Sequence, residues 1–389
     1  MFTATDGLAL ATTVTGSWPR PRWFDLNLGG RSLSERMTDM RYREQFLDAT
    51  AALISNQEQA GLDIVVNGDY HHDDDLGGMA WVAYNWERLG GTDPDNRTMT
   101  TSWPQNPGTL LNSVMGGWRF APVVDKLRPR VPLELDKLWR LTQGMTDRPV
   151  KLGTISSQTV AAFVQNKSSY YDDDRRQLTM DLSEIVNTEL RAMAASGATV
   201  IQIEDPMIHL LPEGTPREHV DFLIDALNRE IEGLENCEVW LHTCWGNPNM
   251  QRVVHDVSYR SAIEDYLYRV NCDVLTVEMC DSDLREIDMF ADYRDARKKI
   301  AVGVISHRTL QVDEGEGIAA NIRTAARYID PERLVLSSDC GFGRAGFNRA
   351  VAHHKAAALV RAANVVRKEL GFPVTESRND NPRLQMDYA

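Results

Sequence analysis

The sequence predicts an α/β protein: one (β/α)8 barrel over residues 1–389, with a long inserted loop near residues 90–117. Three observations predict it. From residue 63 onward, short apolar runs alternate with longer helical patterns. The runs are almost continuously apolar, as strands are when helices cover a parallel sheet on both faces. No GxGxxG or GxxxxGK[ST] follows an early strand, where a doubly wound sheet would usually carry its phosphate turn.

Residues 10–19 (LATTVTGSWP) are apolar and β-branched, and break at Gly16 and Pro19. Residues 34–60 space Ala, Leu and Glu for one apolar helical face. A strand at 63–67 (DIVVN) stops at Gly68 and runs into a polar cluster, Asp69-Tyr70-His71-His72-Asp73-Asp74-Asp75. Residues 90–117 are rich in Gly, Pro, Asn, Thr and Ser. They read as an excursion of the kind that forms lids and binding loops, with Trp103 and Trp118 as candidate cover. A weak strand is expected at 119–124 and a helix at 133–146. Strands follow at 149–155, 198–204, 237–243, 273–278, 299–305 and 334–338. The helices after them are expected at 173–196, 216–234, 258–269, 284–298, 315–329 and 345–370. Counted from residue 63 this makes eight strands if the one near Val123 belongs. Residues 12–17 would then be a ninth segment packed across one end.

Composition narrows the function. A net charge of −14 argues against a nucleic-acid partner, which needs a cationic face. No apolar run reaches the ~18 residues of a membrane span, and no secretory signal is evident at the N-terminus. Five cysteines, all between Cys237 and Cys340, do not form a disulfide framework. A cytoplasmic protein with reduced thiols is expected, and the composition leaves a homo-oligomer open.

Active sites of such barrels lie at the C-terminal strand ends. Read there, the sequence offers Asp69, then Glu204-Asp205-Pro206, then His242 and Cys244, Glu278 and Cys280, His307, and Asp339-Cys340-Gly341. His242 and Cys244 are two apart, so on a strand they face the same way. An imidazole beside a thiolate suits Zn²⁺, and Glu278 and Cys340 complete an N/S/O/S set. Singly, an HxC in a strand or a lone cysteine reads as core packing. Glu278 is harder to dismiss, because a carboxylate closing an apolar strand is costly unless paired. Cys237, Cys272 and Cys280 read as structural, with Cys280 the substitute ligand. Glu204 and Asp205 are adjacent and must diverge, one into the barrel and one bracing a loop. His307 is a general acid or the cap of a polar network. The 71–75 run is a second metal site or a solvated acidic loop.

At these residues the chain resembles the C-terminal catalytic barrel of cobalamin-independent methionine synthase. The segments that carry the resemblance are Gly16-Ser17-Trp18-Pro19, Asn67-Gly68-Asp69, Ile201-Gln202-Ile203-Glu204-Asp205-Pro206, His242-Thr243-Cys244, Thr276-Val277-Glu278, Gly303-Val304-Ile305-Ser306-His307 and Ser338-Asp339-Cys340-Gly341. The resemblance implies zinc bound by His242, Cys244, Glu278 and Cys340. It implies methyl or alkyl transfer to a zinc-bound thiolate, most simply homocysteine to methionine. His307 would assist as an acid, and Ser17, Asp69 and Asp205 or Glu204 would hold the amino-acid end of the thiol. The donor would be a small molecule or a methyl-corrinoid protein. Departures stand at Asp69, where the family carries Glu, at the inverted Glu204-Asp205 order, and at Ser156-Ser157-Gln158-Thr159-Val160, where the family carries Gly-Pro and Trp. The same scaffold supports an alternative, zinc-dependent epoxide or alkyl transfer to another thiol such as coenzyme M. A metal-free barrel of the uroporphyrinogen decarboxylase kind would need an Arg-rich pocket, which the strand ends do not show. A zinc-storing or corrinoid-partner binding module is the non-enzymatic alternative.

Overall fold

The structure is a computed structural model. It describes residues 2–73, 79–99, 118–171, 175–245, 258–343 and 347–377. Its strands in chain order are β1 (Ala11–Thr12), β2 (Val65–Val66), β3 (Leu89–Thr92), β4 (Thr98–Met99), β5 (Arg119–Phe120), β6 (Val123–Pro129), β7 (Val150–Ile155), β8 (Val200–Glu204), β9 (Glu238–Thr243), β10 (Val274–Val277), β11 (Lys299–Ile305) and β12 (Leu334–Ser338).

Eight of them form one sheet, in the order β1-β12-β11-β10-β9-β8-β7-β2. Every pairing within it is parallel. A parallel bridge between Ser17 and Gly68 brings its two ends together. The Ile64 N–H also donates to the Thr12 carbonyl at 3.1 Å. The sheet is therefore curled into a (β/α)8 barrel, as expected. Helices cover it, among them Met40–Ala60, Arg176–Ala195, Arg217–Glu230 and Arg349–Leu370. The first starts on an Asp39 side chain that accepts from the Arg41 and Tyr42 N–H groups, and it ends at Gly61 with φ +90°, a left-handed cap.

Two expectations change places. The strand near Val123 is not a barrel strand. β6 pairs antiparallel with β3, and β4 with β5, so the inserted segment begins and ends as two-stranded ribbons outside the barrel. In β6 only Val123 and Leu127 are buried, and so charged a strand could not be covered on both faces. The missing barrel strand is β1, from the segment expected to lie across an end. The heart of the insert, 100–117 with Trp103, lies outside the described residues, as do Asp74 and Asp75. The helix expected at 284–298 is a 3₁₀ turn, Ile287–Tyr293; Asp283, Leu284 and Glu286, all left-handed, interrupt it.

The barrel is filled in layers. Ala11, Ile64, Val200, Trp240, Val274, Ala301 and Val335 make one buried apolar layer. Below it the N-terminus closes the floor. The Thr3 and Thr5 N–H groups donate to Glu238 Oε1 at 2.8 and 2.7 Å, and Lys299 Nζ donates to the Thr5 carbonyl at 2.6 Å. The candidate site residues sit at the opposite, C-terminal end of the strands.

Candidate metal centre at the barrel mouth

Parallel register decides who meets whom at the mouth. His242 on β9 lies beside Glu204 on β8 and Thr276 on β10. Cys244 follows one residue beyond the end of β9, and Cys340 two residues beyond β12. The donor atoms of His242, Cys244 and Cys340 all lie within 4.8 Å of one another, and all three residues are buried. Among the described residues neither ring nitrogen of His242 has a hydrogen-bond partner, although the side chain is buried. A neutral imidazole left that way costs free energy unless something else takes its lone pair. One imidazole nitrogen and two thiols also match a soft tetrahedral ion that keeps a position open. The residues present therefore fit Zn²⁺.

Glu278 is not among these three, although its carboxylate lies near enough to Cys340 for the two to interact electrostatically. It belongs to a second group with His307 and Asp339, both buried, and the partly buried Asp281, whose ligand atoms likewise lie within 4.8 Å of one another. Its Oε1 accepts from Arg308 Nε at 3.1 Å and from a second guanidinium nitrogen, and its Oε2 accepts from the Trp245 N–H at 3.0 Å. Burial raises its pKa, and Arg308 opposes the rise. Burial works against the Arg308 charge in turn, but Glu278 and Asp281 more than compensate and hold it above its usual range. Asp339 accepts from the backbone N–H groups of Met279, Cys280 and Asp281, each at 2.8 Å. It thereby clamps the loop that carries Glu278 to the one that carries Cys340. His307 is fully buried, its Nδ1 3.9 Å from Asp281 Oδ2.

A third group faces the barrel's closing seam. A side chain at Gly16 would meet Asp69 Oδ2 at 2.8 Å and Glu204 Oε1 at 3.1 Å, so only glycine lets these two carboxylates converge there. A Cβ at Gly341 would overlap Ser17 Oγ, which also accepts from the Gly343 N–H at 3.2 Å. Ser17 thus lies against the Asp-Cys-Gly turn. Of the adjacent pair, Glu204 points into the barrel, where its Oε1 accepts from Gln202 at 3.2 Å. Asp205 turns away and is fully buried. It accepts from Ser156 Oγ at 2.6 Å, Gln158 Nε2 at 2.9 Å and Thr159 Oγ1 at 3.0 Å. Burial raises its pKa against those three donors. Its partners come from the segment that departs from the family pattern.

His71 and His72 pack with ring centroids 4.4 Å apart, and burial lowers both pKa values. Asp73 accepts from the Leu28 N–H at 2.7 Å. Cys237 and Cys272 are buried thiols pushed up to about 11 by desolvation. Burial likewise raises Cys280. None of these three joins the donor trio.

Sequence reasoning missed two residues. Lys151, on β7, is buried inside the barrel with its Nζ 4.5 Å from the Trp240 ring centroid. Burial pushes its pKa down to about 7, against the pull of Glu204 and Asp69. A lysine in the middle of an otherwise apolar strand was the available signal. Arg308 gave none, since its partner lies thirty positions away.

Fold and site together define a barrel enzyme scaffold with a buried imidazole–dithiol centre at its mouth. Residues 10–364 match the family described as the catalytic domain of cobalamin-independent synthase, and the chain belongs to that family. It is 26% identical over 363 residues to a methionine synthase of Thermococcus kodakarensis, covering 93% of this chain and 94% of the relative. It is 27% identical over 377 residues to one from Pyrococcus abyssi, covering 96% and 98%. A B12-independent methionine synthase from Shewanella, solved with selenomethionine, superposes with a TM-score of 0.74 at 22% identity, over 93% of this chain and 99% of that one. No helix among the described residues is long and apolar enough to cross a membrane.

Proposed function

We propose that the protein transfers a methyl group to the thiol of homocysteine, forming methionine, at a zinc centre built on His242, Cys244 and Cys340. The observation that carries this reading is the buried trio, with a His242 ring that has no other partner among the described residues. Zinc bound there would supply the Lewis acid that keeps the substrate sulfur a thiolate at neutral pH. The chain's own residues do the rest. Glu204 and Asp69 converge beside Gly16 and offer two carboxylates to the ammonium group of an amino acid. Ser17, held against the Gly341–Gly343 turn, borders the same space. Asp205 acts from behind by fixing the N-cap Ser156 and the first turn of the Ser157–Phe163 helix through three hydrogen bonds. His307, enclosed with Asp281 and Asp339, is positioned to hold the proton that a departing donor takes up. The work of the barrel is to hold sulfur and methyl carbon in line while water is excluded.

The carboxylate pair favours an amino-acid thiol over a sulfonate thiol such as coenzyme M, whose anionic end it would repel. The test is methionine formation by zinc-loaded protein from homocysteine with methyl-folate, methylcobalamin or a methyl-corrinoid protein as donor. Product with at least one donor, abolished in His242→Ala, is the expected result. Alkylation of coenzyme M in preference to homocysteine would overturn the substrate assignment.

A further inference from the structure

We infer that Lys151 is a positioning residue for the amino-acid substrate: its buried amine is the counter-charge of Asp69 and Glu204 while the pocket is empty, and it gives up its proton when a substrate ammonium binds those two carboxylates. The inference rests on the reading of that pair, given above, as the groups that hold the amine. Lys151 stands on β7 in register with Val66 of β2 and Val200 of β8. Asp69 follows β2 and Glu204 ends β8, so the lysine lies below both. Its side chain is buried, and its Nζ has no hydrogen-bond partner among the described residues. Two residues on, at the same face of β7, Gly153 adds no side chain above the amine.

The neighbouring strands show what supports the charge. On β9 the Trp240 ring lies 4.5 Å from Nζ, its own N–H donates to Glu238 at 2.9 Å, and His242 stands two residues nearer the mouth. Val274 and Thr276 on β10 are uncharged. At the floor, Glu238 accepts from the Thr3 and Thr5 N–H groups, and Lys299 donates to the Thr5 carbonyl at 2.6 Å. An ammonium head has three donors, and this one meets no acceptor directly. Only the aromatic face and the field of the two carboxylates hold it charged. Burial works against that charge while Glu204 and Asp69 support it, and the balance leaves the pKa at about 7. Near neutrality a modest loss of field is then enough to discharge it. A substrate ammonium hydrogen-bonded to both carboxylates takes that field away and adds a like charge. One N–H bond of the lysine breaks, the proton leaves to solvent, and the neutral amine stays in place. Both carboxylates are then left to the substrate alone.

The experiment titrates L-methionine, whose thioether has no proton to lose, into the full-length zinc-loaded protein by calorimetry at pH 6 and pH 8, in buffers of contrasting ionisation enthalpy. A lysine that titrates at about 7 in the empty pocket and well below 6 in the filled one should release about 0.9 proton at pH 6 and about 0.1 at pH 8. Affinity should rise about tenfold between the two, because binding is linked to the proton it releases. Lys151→Met and Lys151→Gln should release none at either pH, and their affinities should change by less than about twofold over the same interval. The wild-type proton count is decisive even where a variant fails to fold. Methionine bound by wild type without proton release at pH 6, or a release that persists undiminished in a folded variant, would overturn the inference and leave the amine pocket standing. No binding of methionine at millimolar concentration would overturn the reading of Asp69 and Glu204 as an amino-acid pocket, and the inference with it.

Discussion

Two buried clusters share the mouth of the barrel, and they are finished in opposite ways. The soft cluster of His242, Cys244 and Cys340 includes a buried imidazole with no hydrogen-bond partner among the described residues. The hard cluster of Glu278, Asp281, His307 and Asp339 supplies its own counterions. Arg308 pairs with two of its carboxylates, and three backbone N–H groups point at a third. A group of ligand-type residues can thus be balanced by a cation of the chain's own. The hard cluster already contains its cation, whereas in the soft one the His242 ring has no hydrogen-bond partner among the described residues. On the function proposed above, the contrast gives the metal chemistry to the soft cluster and, His307 apart, architecture to the hard one.

The strongest way to break this comparison is Cys340→Ser. If the soft cluster carries the chemistry, turnover should fall by at least ~10³-fold while the fold persists, because the nucleophile loses its activating centre. Steady-state methionine formation beside a circular-dichroism melt reads both. A C340S protein with near-normal turnover would end the distinction between the two clusters.

Glu204 is the next test, since its register places it beside His242 rather than with the hard group. Glu204→Gln should raise the KM for homocysteine about 10- to 100-fold, the worth of one charge-assisted hydrogen bond, with a smaller change in kcat. A fall in kcat with KM unchanged would move Glu204 from holding the amine to the chemistry itself.

The hard cluster should answer differently. Asp339→Asn exchanges one accepting oxygen for an amide donor that faces backbone N–H groups. Stability should drop by about 2–3 kcal/mol, read from the urea midpoint, while the folded fraction keeps its zinc. Loss of zinc without loss of stability would mean that Asp339 serves the metal directly.

How much of this was legible beforehand follows from where each signal resides. Strand ends that carry His242, Cys244, Glu278 and Cys340 show in the sequence because they close apolar runs. Their division into two clusters does not, because it depends on which side of the β10 turn Glu278 leaves, and Arg308 decides that from another strand end. The barrel was legible as a rhythm of eight. Its first strand was not, because β1 is only two residues long while the ribbon strand β6 is seven. Strand length favours the ribbon strand, and burial favours β1. The Glu204–Asp205 divergence follows from strand geometry, but which of the two faces inward depends on the Ser156 and Thr159 hydroxyls waiting on the neighbouring turn.

Lys151 gives the smallest expected effect, and one whose sign can be derived. It sits below both clusters, and burial lowers its pKa to about 7 from the usual 10.5. Below pH 7 the amine is charged in the folded and unfolded states alike, and the full burial penalty applies. Between about 7 and 10.5 the unfolded chain binds a proton that the folded chain does not, so stability rises with pH across that window. The limiting slope is about 1.4 kcal/mol per pH unit, and the pull of Glu204 and Asp69 is already contained in the folded value of about 7. Lys151→Met removes the titration. Urea unfolding of both proteins at pH 7.5 and 8.5 should show wild type gaining on the variant by about 1 kcal/mol. An unchanged difference would mean that Lys151 stays charged through this range, as a standing counterion to Glu204 and Asp69. The hard cluster's habit of supplying its own cation would then extend to the carboxylates beside the soft one.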